Sequence, residues 1–307
     1  MQTTSSTPLL TLNNGVTMPA LGLGVYQSAP ADTVRAVGTA ISVGYRMIDT
    51  AAAYFNEREV GEGIRQSGID RAELFVQTKL WISDYGYERT LRAFDASLRR
   101  LGLDYVDLYL LHWPMPSEFE ATVASYQAAE KLLADRRVRA IGVCNHGAQH
   151  LERLIARTEV VPSVNQVELH PLFTQLAVRE ADARHGVITQ AWSPLGGVKV
   201  YAHRGAGAPA NVLENPVIAG IAKKHGKTPA QVALRWHIEH GLSAIPKSVH
   251  RERIAENFDV FDFTLTPAEV AAIDALDTGV RGGPDPEIVD TKLFSLSIEE
   301  RYAEEAK

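Results

Sequence analysis

Short apolar runs alternate with amphipathic segments over most of the chain. The runs are four to six residues long and rich in Val, Ile and Leu, which is typical of strands buried on both faces. We predict strands at residues 21–25, 45–48, 74–78, 106–111, 139–144, 164–167, 187–191 and 242–245. Apolar positions repeat with helical spacing between the runs, and we predict helices at 32–43, 57–67, 87–101, 118–136, 149–157, 175–185, 216–225, 229–239, 251–257 and 267–276, with a short one at 297–305.

The order of these elements favours one fold class. Strands that alternate with helices at this spacing form a parallel sheet, and eight such units predict an α/β fold, a closed (β/α)8 TIM barrel with extra helices. An open doubly wound sheet is the alternative. Gly22 and Gly24 end the first strand without the third glycine that a dinucleotide-binding phosphate loop needs. No linker divides the chain, so we predict a single barrel domain over residues 1–307.

Two connecting segments also carry structural signals. The pair Asn14-Gly15 lies between short apolar flanks, which predicts an N-terminal β-hairpin. We expect this hairpin to close the lower end of the barrel. Residues 195–212 are rich in Gly, Ala and Pro, and an unstructured connection of this length is usually functional or mobile.

Composition narrows the range of partners and compartments. The 307 residues are 45% hydrophobic and 22% charged, with a formal net charge of −6. No basic stripe favours nucleic acid, and no apolar run approaches the roughly 18 residues of a membrane span. A single cysteine, Cys144, excludes an internal disulfide framework and fits a reducing compartment. Residues 1–8 lack the features of a signal peptide, so we predict a cytoplasmic protein, which we expect to be monomeric.

Titratable side chains follow three successive predicted strands. Asp49 follows the second strand, with Tyr54 in the next loop, Lys79 follows the third and His112 the fourth. The carboxyl ends of barrel strands share one rim, where active sites are built. An ammonium beside a phenol lowers the pKa of the phenol, and a carboxylate holds that ammonium charged. We therefore predict that Tyr54 is a general acid for an oxygen that becomes an alkoxide, as in a carbonyl that accepts hydride, while a neutral His112 orients that oxygen.

Each of these residue types also occurs at strand ends without any catalytic role. An acid after a strand is often a helix cap, and a single Tyr, Lys or His at a rim is often a loop or surface residue. Three consecutive strands that end in titratable groups are harder to explain in this way. A zinc hydrolase with ligands among Asp49, His112, Glu168 and His170 is a further alternative. No strand end carries a His-x-His pair, and we predict no metal.

Amide and aromatic residues follow the later strands. Asn145 and Gln166 end the fifth and sixth strands, and their amides suit a carboxamide, which needs one donor and one acceptor. Trp192 ends the seventh strand and offers a flat face to a ring. Cations and a hydroxyl follow the eighth strand: Lys247, Ser248 and Arg253. Together with a helix N-terminus they suit a phosphate. The residues that follow strands five to eight therefore predict a binding site for a nicotinamide nucleotide.

Three separated motifs carry a resemblance to a known family. They are GYRMIDTA at 44–51 with Glu57 and Gly61, LHWP at 111–114, and IPKS at 245–248 with Arg253, Glu256 and Asn257. In this order they resemble the aldo-keto reductase family over nearly the whole chain. The resemblance is greatest to the bacterial branch that contains 2,5-diketo-D-gluconate reductases.

The resemblance implies an NADPH-dependent barrel enzyme that reduces aldehydes or reactive ketones, such as α-dicarbonyls and keto-sugars. The four rim residues match its catalytic positions, with Tyr54 as the acid. The cofactor positions are Asn145 and Gln166 for the carboxamide, Trp192 for stacking, Ser193, Leu195 and Gly196 on the pyrophosphate side, Lys247, Ser248 and Arg253 for the 2′-phosphate, and Glu256 and Asn257 near the adenine. The substrate positions that it suggests are Tyr26, Phe55, Trp81 and Trp113.

The chain also departs from the family near these positions. Cys144 stands where serine is common, and a thiol is a weak donor. His146 stands where an aromatic residue is common, and Phe55 where glycine is frequent, which narrows the pocket. An NADPH-binding regulatory scaffold without turnover is the alternative function, since such a relative exists in the superfamily. All four catalytic positions are filled, which favours an enzyme.

Overall fold

A closed ring of parallel strands forms the centre of the molecule. The computed structural model describes residues 7–197 and 211–305. Its strands are β1 (Leu9–Thr11), β2 (Thr17–Pro19), β3 (Leu23–Gly24), β4 (Met47–Asp49), β5 (Phe75–Leu80), β6 (Val106–Leu111), β7 (Val138–Cys144), β8 (Val164–Glu168), β9 (Ile188–Trp192) and β10 (Ser243–Ala244). Strands β3 to β10 pair in chain order, and parallel bridges from Leu21 to Ala244 and from Gly24 to Lys247 join the two ends of the sheet. The predicted (β/α)8 barrel is confirmed, and the doubly wound alternative is wrong.

Helices cover the outside of the ring. They are α1 (Pro30–Val43), α2 (Glu57–Ser67), α3 (Tyr87–Leu101), α4 (Phe119–Ala134), α5 (Ala148–Ile155), α6 (Leu176–Arg184), α7 (Pro216–His225), α8 (Pro229–Glu239), α9 (Arg251–Phe258), α10 (Pro267–Asp274) and α11 (Ile298–Glu305). Local chemistry fixes several of their ends. Gly68 and Gly102 adopt left-handed conformations at the ends of α2 and α3, and Thr228 forms a capping box with Gln231 before α8.

The predicted hairpin closes the lower end of the barrel. Strands β1 and β2 pair in antiparallel fashion around Asn13 and Asn14. The side chain of Asn13 donates to the carbonyl of Pro162 at 3.0 Å, and that of Asn14 donates to the carbonyl of Arg139 at 2.9 Å. Both acceptors lie near the amino ends of barrel strands. Met18 packs among side chains of the barrel interior, so the hairpin closes the end opposite the carboxyl rim of the strands.

Side chains inside the barrel change from apolar to polar along the strands. Phe75, at the start of β5, belongs to a buried apolar cluster that also includes Met47 and Leu108. Successive side chains of a strand point to opposite faces, so Gln77 and Lys79 follow Phe75 on the inward face of β5. The barrel therefore offers an apolar floor below a polar rim. Much of the predicted loop at 195–212 lies outside the described residues, and no helix among the described residues is long and apolar enough to cross a membrane.

Candidate active site

The four predicted catalytic residues come together at the carboxyl rim. Asp49 is the last residue of β4, Lys79 is the penultimate residue of β5, and His112 directly follows β6. Tyr54 ends a single 3-10 turn, Ala52–Tyr54, between β4 and α2. Strands β4, β5 and β6 are parallel neighbours, with Asp49 opposite Gln77 and Lys79 opposite Leu110. Their carboxyl ends therefore lie side by side at one rim, which brings the three side chains together.

Lys79 connects the acid to the phenol. Its Nζ atom lies 2.6 Å and 2.8 Å from the two carboxylate oxygens of Asp49 and 3.1 Å from the hydroxyl of Tyr54. A fourth contact reaches the backbone carbonyl of Thr50 at 3.0 Å. Lys79 and Asp49 are both buried, so the pair is shielded from water and its hydrogen bonds are charge-assisted.

Two glutamines that the sequence analysis did not identify, Gln77 and Gln190, also belong to this site. Gln77 donates to Asp49 Oδ1 at 2.6 Å, and Gln166 donates to the same oxygen at 2.9 Å. The side-chain oxygen of Gln190 accepts from both of these amides at 2.7 Å. Gln77 precedes Lys79 by two residues in one strand, and this spacing was the available signal. The network holds the Asp49 carboxylate in a fixed orientation below Lys79.

Tyr54 is a neutral phenol in this site. Burial and the negative charge of Asp49 raise its pKa well above the ordinary value. The prediction that Lys79 lowers the pKa of Tyr54 is therefore wrong for the protein alone. The ammonium makes its shortest contacts with Asp49, which balances its charge. The phenol consequently keeps its proton throughout the neutral range.

His112 is also neutral. Burial and the positive charge of Lys79 lower its pKa well below the usual value. Its ring lies edge-on to Tyr54 and to Trp81, with centroid distances of 5.8 Å and 5.1 Å. Its buried Nδ1 atom has no hydrogen-bond partner among the described residues. The imidazole is thus an uncharged group beside the phenol, as predicted.

The predicted carboxamide pair lies next to this cluster. Asn145 donates to the carbonyl of His112 at 2.9 Å and accepts from Trp192 Nε1 at 2.9 Å. Its backbone adopts a φ of 60°, and its N–H donates to the carbonyl of Gln166 at 2.9 Å. These contacts leave Asn145 one amide hydrogen and a carbonyl lone pair. In the described part of the chain, the side-chain oxygen of Gln166 accepts no hydrogen bond, so the two amides retain one donor and two acceptors.

The predicted pyrophosphate-side positions follow Trp192 directly. Ser193 and Gly196 adopt positive φ angles of 48° and 78°, and the N–H of Gly196 donates to the carbonyl of Ser193 at 2.8 Å. A Cβ atom on Gly196 would lie 2.6 Å from Val212, so this turn requires glycine. Leu195 is half-buried within the turn.

The predicted phosphate positions lie at the end of β10 and the start of α9. Lys247 is exposed, Ser248 is buried, and Arg253 is an exposed residue in the first turn of α9. Neither Lys247 nor Arg253 forms an ion pair within residues 7–197 and 211–305. Glu256 accepts from the hydroxyl of Thr228 at 2.7 Å. Asn257, the last of the predicted positions, is buried on the same helix.

Aromatic side chains form a wall around the predicted catalytic residues. Tyr26 lies edge-on to Tyr54 with a centroid distance of 5.1 Å. Trp81 and Trp113 both contact Phe294, at 5.7 Å and 6.0 Å between ring centroids. Phe294 belongs to the C-terminal tail, and no periodic pattern in that part of the sequence identified it.

Phe55 has a different environment from the other predicted substrate residues. Its backbone is left-handed, with a φ of 56°, and its ring packs on Tyr302 of α11 at 5.2 Å. Phe55 therefore attaches the rim to the terminal helix. The glycine that is frequent at this position would lack this contact.

The described residues contain no group of His, Cys, Asp or Glu side chains that could hold a metal ion. His146 and His150 have the spacing of a ligand pair, but their rings make other contacts. Nδ1 of His146 lies 2.9 Å from the carbonyl of Cys144, and Nε2 of His150 lies 3.3 Å from Glu287. The zinc alternative thus has no support in the described part of the structure.

The residues present fit a nicotinamide nucleotide with an extra phosphate. Asn145 and Gln166 keep unused amide groups, which can satisfy a carboxamide. Trp192 is half-buried at the rim and offers an aromatic surface to a flat ring. The exposed cations Lys247 and Arg253 have no acidic partner in the described chain, so they are available to a phosphate.

Comparisons with known proteins agree with this geometry. The model of the aldo/keto reductase family matches residues 18–278. A morphine 6-dehydrogenase from Pseudomonas putida is 58% identical over 94% of this chain and 97% of its own length. A glyoxal reductase from Bacillus subtilis is 46% identical over 92% of this chain and 98% of its own length. The crystal structure of a Bombyx mori aldo-keto reductase in complex with NADP has a TM-score of 0.85 and 37% identity, and covers 94% of this chain and 97% of that one.

The barrel and its polar rim define a nicotinamide-dependent oxidoreductase. The chain belongs to the aldo/keto reductase family. It is accordingly an NADP-dependent enzyme of carbonyl reduction. The resemblance predicted from the three sequence motifs is confirmed at the level of the family.

Proposed function

We propose that this enzyme reduces aldehydes and reactive ketones, among them α-dicarbonyls and keto-sugars, and that Tyr54 supplies the proton. One observation carries the assignment of Tyr54. Its hydroxyl lies 3.1 Å from the ammonium of a buried Lys79–Asp49 pair, beside a neutral histidine. Bound NADPH supplies the hydride. Proton transfer, substrate orientation and cofactor binding are carried out by residues of this chain.

The raised pKa of Tyr54 is compatible with its role as an acid. A general acid must carry its proton when the substrate binds, and the neutral phenol does so. The oxygen that receives the proton is becoming an alkoxide, which is far more basic than a phenolate. The Lys79 ammonium then stabilises the phenolate that remains. Asp49 keeps that ammonium charged and in place, while Gln77 and Gln166 orient Asp49.

His112 orients the substrate carbonyl. A neutral imidazole donates one N–H hydrogen bond without bringing a second positive charge next to Lys79. With Tyr54 it forms a pair of donors for one oxygen. The aromatic residues Tyr26, Trp81 and Trp113 lie around this position and exclude water from the developing charge.

The positions described above support a set of cofactor-binding roles. Asn145 and Gln166 hold the carboxamide, and Trp192 stacks on the nicotinamide. Lys247, Ser248 and Arg253 bind the 2′-phosphate and favour NADPH over NADH. The pyrophosphate is contacted by Ser193, Leu195 and Gly196. The adenine lies near Glu256 and Asn257.

The names of two relatives guide the choice of substrates. The 46% identical relative is named a glyoxal reductase, which supports small α-dicarbonyls as substrates of this enzyme. The 58% identical relative is named a morphine 6-dehydrogenase, which points to alcohol oxidation. The assay should therefore measure both carbonyl reduction and alcohol oxidation.

The test is loss of NADPH absorbance with a panel of aldehydes, α-dicarbonyls and keto-sugars, and the reverse reaction with NADP and alcohols. Wild-type enzyme should consume NADPH only when a carbonyl is present. Tyr54→Phe should lose about 10²- to 10⁴-fold in kcat and bind NADPH with unchanged affinity. A fully active Tyr54→Phe enzyme would contradict the assignment of the acid, and NADPH binding without turnover in the wild type would favour the regulatory scaffold.

We also propose that the protein is a single-domain monomer of the cytoplasm. The closed barrel and the single, buried Cys144 support this proposal. Size-exclusion chromatography with light scattering should give a mass near 33.6 kDa. A mass of twice that value would contradict the monomer.

A further inference from the structure

A buried carboxylate at the rim has no role in the chemistry proposed above. Glu168 is the last residue of β8, and its side chain is fully buried. Its Oε1 atom accepts the backbone N–H of Gly282 at 2.8 Å, and its Oε2 atom accepts that of Gly283 at 2.8 Å. Nε2 of His170 lies 3.3 Å from Oε1. Glu168 thus fixes two consecutive residues of the C-terminal tail through charge-assisted hydrogen bonds.

The anchored glycines lie against Trp192. A Cβ atom added to Gly283 would be 2.5 Å from Cη2 of the indole and 3.1 Å from Oε2 of Glu168. Real Cβ atoms do not approach so closely, so only glycine permits this contact. Glu168 and Trp192 are also paired residues of β8 and β9. Carboxylate, glycine and indole therefore form one packed unit.

The indole is held at both of its ends. Nε1 of Trp192 donates to Oδ1 of Asn145 at 2.9 Å, on the side of the carboxamide site. The opposite edge of the ring meets Gly283. A stacking surface contributes to hydride transfer only when its orientation is fixed, because a small misplacement of the reacting groups is costly. The contact with Gly283 fixes the edge of Trp192 that Asn145 does not hold. The position of Gly283 in turn depends on its hydrogen bond to Glu168.

We propose that Glu168 is a positioning residue for the nicotinamide: it holds Gly282 and Gly283 against the edge of Trp192 and so sets the face on which the ring stacks. This inference rests on the proposed stacking role of Trp192. The same anchor fixes the start of the tail segment 282–296, whose Phe294 reaches Trp81 and Trp113. Glu168 thereby links the cofactor face to the wall of the substrate pocket.

A purely structural role for Glu168 predicts a different result. Loss of a buried acceptor that only stabilises the fold would lower the melting temperature and leave NADPH affinity unchanged. Asp107 provides the matched control. It is a fully buried carboxylate that accepts the backbone N–H of Val76 at 2.8 Å and pairs with Arg71 and Arg139, at 2.6 Å and 2.7 Å. It lies in the first part of β6, away from the rim.

The experiment compares Glu168→Gln, Gly283→Ala and Asp107→Asn with the wild type. Glu168→Gln keeps the size and shape of the side chain. It replaces one carboxylate oxygen, an acceptor, by an NH2 group, a donor that faces a backbone N–H. Gly283→Ala retains Glu168 and places a Cβ atom against the indole, and the backbone at this position is outside the left-handed region, so alanine adds no backbone strain. For each protein we would measure the melting temperature, the Kd for NADPH, kcat and KM, and the primary isotope effect with NADPH deuterated at the transferred position.

Both rim variants should raise the Kd for NADPH, lower kcat/KM by about 10-fold or more, and increase the isotope effect. Asp107→Asn should lower the melting temperature and leave Kd and isotope effect as in the wild type. The proposal is wrong if the rim variants lose only thermal stability. If Glu168→Gln does not fold, Gly283→Ala decides the question. Absence of turnover in the wild type would contradict the proposed function instead, and the Kd for NADPH would still test Glu168.

Discussion

The ammonium of Lys79 lies 2.6 Å and 2.8 Å from the two carboxylate oxygens of Asp49, and both side chains are buried. A buried ion pair of this kind is costly to break, because removal of one partner leaves an uncompensated charge. The ammonium of this pair also contacts the hydroxyl of Tyr54. Its stability and its catalytic effect can therefore be separated by mutation.

Lys79→Met should lower kcat by at least about 10²-fold, because the phenolate loses its counter-charge, and should destabilise the fold by roughly 3–5 kcal/mol. Asp49→Asn combined with Lys79→Met removes both charges. The double variant should recover most of the stability and none of the activity, as judged by thermal unfolding and NADPH consumption. Recovery of activity in the double variant would show that the ammonium is not needed.

The pH profile of kcat/KM for reduction should be flat from about pH 6 to pH 9. Tyr54 loses its proton only when the pH rises through a pKa that lies well above 10.0, and His112 gains one only when the pH falls through a pKa well below 6.5. The profile reports the free enzyme. Initial rates at low substrate concentration in overlapping buffers would test this, and an ionisation near pH 7 or 8 that disappears in Tyr54→Phe would contradict it.

Arg253→Ala should weaken NADPH binding about 10-fold or more, the effect of losing a charged hydrogen bond, and should leave NADH binding nearly unchanged. The 2′-phosphate that distinguishes the two nucleotides is the group that Arg253 is proposed to contact. Arg251→Ala is the matched control, since Arg251 is an exposed arginine of the same helix. Equal losses for NADPH and NADH, measured by fluorescence titration, would place Arg253 elsewhere on the cofactor.

Asp182 should make the fold less stable as the pH rises. This carboxyl is buried between Thr189 and Asn165, and burial raises its pKa to about 7 from 3.8. Its contribution to stability is therefore present at low pH and is lost between about pH 4 and pH 7, at about 1.4 kcal/mol for each pKa unit. Urea unfolding of wild type and Asp182→Asn across this range should show a difference that grows with pH in favour of the variant. A constant difference would contradict the shift.

Much of the fold follows from local signals in the sequence. Helices α2, α3, α7 and α8 begin and end where the patterns predict, since glycines, prolines and a capping box mark their ends. Strands were predicted less well at their ends. The last strand was expected at 242–245, whereas β10 covers only Ser243–Ala244, because pairing partners rather than local propensity decide where a short strand stops.

The sequence predicts which polar side chains lie together where those residues follow strand ends. Asp49, Lys79 and His112 follow from strand order alone. The contact of Gln190 with Gln77 joins β9 to β5 across the barrel interior. No sequence pattern within either strand predicts a contact between strands so far apart in the chain. Phe294 is placed by the path of the tail. The pKa of Tyr54 was predicted in the wrong direction because only the ammonium was considered, and not the burial that accompanies it.

The position of Phe294 after all of the barrel strands has a consequence for synthesis. The strands that carry Asp49, Lys79 and His112 leave the ribosome early, and the segment that contacts Trp81 and Trp113 leaves it much later. The contacts of Phe294 with Trp81 and Trp113 are therefore formed late in synthesis, and a chain that stops shortly before Phe294 would lack both of them.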